Sequence, residues 1–188
     1  MARKAAGKEA AELRIRKMTY AALFLAIAMV LPLITGQIPE IGAMLCPMHI
    51  PALLCGFMCG WPWGLAVGLT APVLRSAMFG MPVMFPTAVA MAFEMAVYGA
   101  VSGILYRVLP RKKWAIYAAL VTAMAAGRLV WGLAHLAIAG LTHSEFTAAA
   151  FLAGAVTTAV PGIIMHIVLI PVLVMVMERE GLAVDSNQ

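Results

Sequence analysis

Charge is scarce in this sequence. Lys and Arg number 13 and Asp and Glu eight among 188 residues, a charged share of 11%, where soluble domains carry about 25%. With 64% hydrophobic residues and a mean hydropathy of +0.97, no soluble fold of this length could cover its apolar surface; lipid removes the need to cover it. Catalytic signatures are missing too: there is no phosphate-binding glycine loop, no H-E-x-x-H and no carboxylate pair. Nothing in the pattern asks for a cofactor. Three cysteines (Cys46, Cys55, Cys59) are an odd number, and none has a metal-ligand spacing with His, so a disulfide framework and a metal site are both disfavoured. They read as small apolar packers, and the 15 methionines as fillers of irregular gaps. The basic lead before Met18 is not followed by a short apolar stretch with a small-residue cleavage pattern, so it is expected to stay attached.

What remains is a series of long apolar runs. A spanning helix needs roughly 20 apolar residues, and runs of that kind without period-two alternation indicate helices rather than a barrel. The runs predict an all-α integral membrane bundle of six transmembrane helices: Met18–Ile34, His49–Gly60, Trp63–Phe79, Thr87–Leu105, Trp114–Leu141 and Phe146–Met177. Trp61-Pro62 reads as a tight turn. Pro161 and Pro171 interrupt the last helix, and Ala5–Lys17 reads as a short interfacial helix. Residues 1–17 form a basic segment, 18–177 the bundle and 178–188 a polar tail.

Orientation follows from the basic residues. Six of the 13 precede the first helix, four (Arg107, Arg111, Lys112, Lys113) lie between the fourth and fifth, and Arg179 follows the last. With six spans all three positions share one side, so both termini are expected in the cytoplasm. The loops assigned to the other side hold Glu40, His143 and Glu145 without Lys or Arg. The net charge of +5 is therefore a topogenic face, and nucleic acid, which needs a clustered basic stripe on a soluble surface, is excluded as a partner.

Three charged residues fall inside predicted spans: Arg75, Glu94 and Arg128. An ionisable group at membrane depth usually faces a cavity or a partner. Arg128, Trp131 and His135 share a helix face by their three-and-four spacing, as do Glu94 and Tyr98. With His49 at the mouth of the second helix, these groups are expected to converge on a pocket open to the outside. Two ion pairs are open on this reading, Arg75–Glu94 and Glu94–Arg128. His166 is placed in the inner half, away from the others, as a satisfied core histidine. Gly60, Gly64 and Gly68 recur every four residues through the turn into the third helix, and Gly99 and Gly103 do so in the fourth, a spacing that lets helix backbones pack closely.

The segment Pro47-Met48-His49-Ile50-Pro51-Ala52-Leu53-Leu54-Cys55-Gly56, the Gly60–Gly68 stretch, and Ala126-Gly127-Arg128 leading to Trp131-Gly132 resemble the substrate-binding S components of energy-coupling factor (ECF) transporters of vitamin type. That resemblance implies a multi-pass subunit in a bacterial plasma membrane. It implies capture of a small water-soluble nutrient on the outer face; the buried polar constellation supplies the candidate binding residues Glu94, Arg128, Arg75, Tyr98, Trp131, His135 and His49. Its implied partners are a membrane coupling (T) subunit and two cytoplasmic ATPases, which would supply the ATP site missing here. The family's small-xxx-small docking face matches Ala22-Leu23-Phe24-Leu25-Ala26. Glu94, framed by Tyr98 and Trp131, suggests a nitrogen heterocycle such as a queuosine-type deazaguanine as first ligand, then pantothenate or another vitamin. The competing class is a self-sufficient secondary transporter or membrane-embedded enzyme. Secondary transporters often carry inverted repeats, and none is evident in this chain.

Overall fold

A computed structural model describes residues 2–34, 44–110, 112–142, 147 and 159–183. Among the described residues the protein is all helical, with the order α1 (Ala2–Ile34), α2 (His49–Cys59), α3 (Trp61–Phe79), α4 (Val89–Val108), α5 (Lys113–Thr142) and α6 (Val160–Arg179). Four stretches are long and apolar enough to cross a membrane: Ala6–Leu33, Met84–Val108, Lys113–Thr142 and Val160–Arg179. In lipid every backbone N–H and C=O must find a partner within the protein, and a helix provides that within its own segment. α3 begins Trp-Pro-Trp and carries Arg75, so its 19 residues are less apolar. α2 has only 11 residues, all of them buried, and spans about 17 Å at 1.5 Å per residue; its apolar surface is met by protein.

Several boundaries differ from expectation for local reasons. α1 is one continuous helix of 33 residues rather than an interfacial piece followed by a span, because no proline interrupts it before Pro32. The reversal between α2 and α3 is made by Gly60 alone, at φ 89°, a conformation that favours glycine. Trp61 already belongs to α3, with Pro62 in its first turn, where a missing N–H costs nothing. α3 ends on Gly80 at φ 71°, whose N–H caps the Ser76 carbonyl. An irregular turn, Met84–Ala88, then leads into α4. Pro161 starts α6 rather than interrupting it, and Pro171 lies within a continuous helix. The first part of the expected last helix, from Phe146, lies outside the described residues.

α4 is the centre of the bundle and packs on α2, α3 and α5, while α1 covers α2 and α3, and α6 packs on α2 and α5. Glycine lets these backbones touch. A Cβ on Gly56 (α2) would lie 2.3 Å from the Gly99 carbonyl oxygen of α4, one on Gly64 (α3) 2.5 Å from the same atom, and one on Gly68 2.2 Å from the Met95 oxygen. The four-residue glycine spacing is thus internal packing, as the sequence suggested.

The basic segments meet at one end of the bundle. Arg16 donates to the Gly181 carbonyl 2.8 Å away, Tyr106 bonds the Glu178 carboxylate, and Lys112 and Lys113 line a cleft with Glu178.

Candidate functional site

Glu94 lies within α4 and is 1% exposed, so its carboxylate depends on partners. Tyr98, one turn further along, donates its hydroxyl to Glu94 Oε1 at 2.9 Å. Arg128 of α5 places Nη1 3.1 Å from the same oxygen. His49, in the first turn of α2, holds Nε2 3.5 Å from Oε2, close enough for charge pairing but without a hydrogen bond. Of the two ion pairs left open by the sequence, the structure forms Glu94–Arg128.

The residues before α2 complete the cluster. The Cys46 carbonyl accepts the His49 backbone N–H at 3.0 Å and lies 3.2 Å from His49 Nδ1, which fixes the ring. Cys46 has φ +46°, an uncommon conformation for a residue with a side chain. Its thiol faces Arg128, with Nη2 3.8 Å from Sγ. This corrects the expectation that all three cysteines merely fill space; Cys55 and Cys59 do lie in the apolar core. The His49 ring packs on Tyr98 at 5.1 Å between centroids and on His166 at 6.1 Å.

His166 therefore belongs to the cluster, which corrects its placement in the inner half. As described, α6 begins at Val160, putting His166 about 9 Å from that start at 1.5 Å per residue. Two glycines make this convergence possible. A Cβ on Gly127 would fall 2.0 Å from Tyr98 Cε1, and one on Gly162 2.5 Å from the Met44 carbonyl oxygen. Gly127 admits the Tyr98 ring against α5. Gly162 seats α6 against residues 44–45, and His166 follows one turn later.

The other expected site residues lie differently. Arg75 is buried, donates to the Met29 carbonyl of α1 and stacks on Phe79 at 5.0 Å, so it ties α3 to α1 instead of pairing with Glu94. Trp131 and His135 continue the Arg128 face of α5 and stack on each other at 4.3 Å, with His135 Nδ1 3.1 Å from the Trp131 carbonyl. The cluster is enclosed rather than open, with His49, Glu94 and Tyr98 each 1% exposed.

Three buried nitrogens in this one cluster have no hydrogen-bond partner among the described residues: His49 Nε2, Arg128 Nε and His166 Nε2. Buried polar atoms are nearly always paired, so three orphans around one carboxylate require a reason. Their chemistry suits the polar edge of a small molecule, with Arg128 donating and each imidazole able to donate or accept. No grouping of three or more His, Cys, Asp or Glu suited to a metal ion occurs among the described residues.

A family model described as "ECF transporter, substrate-specific component" matches residues 16–174. No curated protein and no solved structure matches the chain.

Proposed function

The chain belongs to the substrate-specific components of ECF transporters, and from that premise we propose that it captures a small water-soluble vitamin or vitamin-like micronutrient in the cluster around Glu94. As a member of that family it is a substrate-binding transporter subunit and a multi-pass membrane protein. The observation that carries the site is the set of three orphaned nitrogens around a buried, partnered carboxylate. Glu94, Arg128, Tyr98 and His49 form its polar wall. Trp131 and His135 extend it along α5, while Arg75 ties α3 to α1 apart from it.

The electrostatics favour an uncharged ligand over a carboxylate. Arg75 is engaged with α1, and Arg128, the arginine at the cluster, already faces Glu94. Glu94 Oε1 is shared by Tyr98 and Arg128 while Oε2 faces only the longer His49 contact, which leaves acceptor capacity for an N–H. A nitrogen heterocycle of the queuosine-type deazaguanine class offers such donors and a face to stack. Pantothenate or another vitamin is the second choice.

Uptake requires a membrane coupling subunit and two ATPases. Ala22 and Ala26 lie on the exposed side of α1, opposite Ala21, Phe24 and Ala28, which are buried; this favours a docking role over internal packing. The meeting of the three basic segments at one end supports a cytoplasmic location for both termini in a bacterial plasma membrane. On this reading residues 1–17 and 178–188 flank a six-span domain of residues 18–177. The test is ligand binding by the purified subunit alone together with uptake in vesicles. Binding without partners, and accumulation only with them, is the expected result; accumulation by the isolated subunit would contradict it.

A further inference from the structure

His49 Nε2 and Glu94 Oε2 stand 3.5 Å apart, and the histidine nitrogen forms no hydrogen bond among the described residues. The tautomer of His49 explains the gap. Its Nδ1 lies 3.2 Å from the Cys46 carbonyl oxygen. A carbonyl can only accept, so Nδ1 carries the proton and, in the neutral ring, Nε2 is a bare acceptor. It faces a second acceptor, the carboxylate oxygen. An imidazolium N–H would close on that oxygen to about 2.7–2.9 Å, and this one has not. Tyr98 and His166 pack on the ring, with centroids 5.1 Å and 6.1 Å away. Turning the ring over would give up the Cys46 bond.

Across the cluster the order is acceptor, acceptor, donor. His49 Nε2 comes first and Glu94 Oε2 second. On the Oε1 side follows Arg128, whose Nε–H has no hydrogen-bond partner among the described residues. Two buried acceptors side by side cannot satisfy each other, and buried polar atoms are nearly always satisfied. A ligand that fits must therefore bring two adjacent donors. Taking the Glu94 cluster as the capture site, as the proposed function does, we infer that it reads the edge of a 2-amino-4-oxopyrimidine ring. The exocyclic amine donates to His49 Nε2, the ring N–H to Glu94 Oε2, and the ring carbonyl accepts from Arg128 Nε. That edge presents donor, donor and acceptor in the order the cluster requires. Deazaguanines and pterins share it. A ring without the amine leaves His49 unpaired, and a carboxylate brings no donor. His49 is thus a specificity-determining residue: Glu94 selects the ring N–H and His49 the amine beside it.

The test is calorimetric titration of the full chain in detergent with two pairs of probes: 7-deazaguanine against 7-deazahypoxanthine, and pterin against pteridin-4-one. Each pair differs only in the amine. An acceptor left unpaired weakens binding about tenfold, so the wild type should prefer the amino member of one pair by that factor. Which pair shows the preference tells a deazaguanine source from a pterin. His49→Phe keeps a ring but removes the acceptor, and the preference should fall to within about twofold. A purely structural role would weaken both members alike and leave their ratio unchanged. His49→Gln, whose amide oxygen can take the place of Nε2, should retain the preference. It decides the matter if His49→Phe does not fold, since loss of the preference there overturns the inference. Equal binding of both members by the wild type overturns it as well, and so does a preference undiminished in His49→Phe. If equal binding still weakens in Glu94→Gln, capture at Glu94 stands without His49. If neither pair binds while another vitamin does, this edge is excluded and capture of a nutrient is not.

Discussion

Arg128 on α5 and Glu94 on α4 face each other across 3.1 Å, the carboxylate 1% and the arginine side chain 17% exposed. Removing one member of a buried pair leaves the other charge uncompensated, at a typical cost of about 3–5 kcal/mol. Partial exposure of Arg128 places this pair at the lower end. Arg128→Met is therefore expected to destabilise the protein by about 3 kcal/mol. Adding Glu94→Gln should recover most of that loss, since both charges are then gone. Denaturation in detergent across the four proteins of the cycle measures the coupling; additive losses would show that the pair contributes no interaction of its own.

Gly127→Ala tests how the site is assembled. Its new Cβ would sit 2.0 Å from Tyr98 Cε1 and 3.1 Å from the Glu94 carbonyl oxygen. Either Tyr98 swings away from Glu94 or α5 moves off α4. Overpacking of this kind costs about 1–3 kcal/mol. Tyr98→Ala removes the obstructing ring, so the Gly127→Ala penalty should shrink in that background. An unchanged penalty would place the clash elsewhere.

Much of this arrangement was legible in the sequence. Charge scarcity and run length gave an all-helical membrane protein. Four-residue spacing put Glu94 with Tyr98 and singled out the Arg128 face. Three features were not legible, each because it depends on which helix lies next to which. Arg75 has a carboxylate within its plausible reach by depth, yet it meets the Met29 carbonyl because α1 covers α3. His166 was misplaced because depth was counted from Phe146, whereas α6 as described starts at Val160. Cys46 owes its role to a positive φ, for which its neighbours Leu45 and Pro47 give no signal.

The docking role proposed for Ala22 and Ala26 predicts a separation of binding from transport. Ala22→Trp or Ala26→Trp adds bulk on the exposed side of α1, where it disturbs no internal contact but blocks close approach of another helix. Ligand affinity should stay within about twofold, a few tenths of a kcal/mol, while uptake by the assembled transporter is lost. Normal uptake in both variants would remove the docking assignment, and misfolding of both would return these alanines to internal packing.

Topology can be checked by single-cysteine labelling in a background where Cys46, Cys55 and Cys59, all buried, are replaced by Ser or Ala. A cysteine at Glu145 should react with an impermeant reagent from outside, and one at Lys112 only after the membrane is opened. The reverse pattern would invert the orientation drawn from the basic residues. Labelling of both from one side would exclude the six-span path.

The ligand assignment turns on Glu94. If its carboxylate accepts an N–H from the ligand, Glu94→Gln replaces a charge-assisted hydrogen bond with a neutral one. Hydrogen bonds to charged groups contribute about 1.5–3 kcal/mol, so the substitution should weaken a nitrogen heterocycle by roughly tenfold or more. A carboxylate vitamin behaves oppositely: with Glu94 neutral, Arg128 is released from its ion pair and becomes available to the anion, so affinity for pantothenate should hold or rise. Calorimetric titration of wild type and Glu94→Gln with queuine, pantothenate and a panel of vitamins separates these outcomes, because the sign of the change reports the charge of the group that meets the cluster. A bound compound whose affinity is the same in both proteins would leave Glu94 as the structural partner of Arg128 and move ligand contact to the His49 and His166 side.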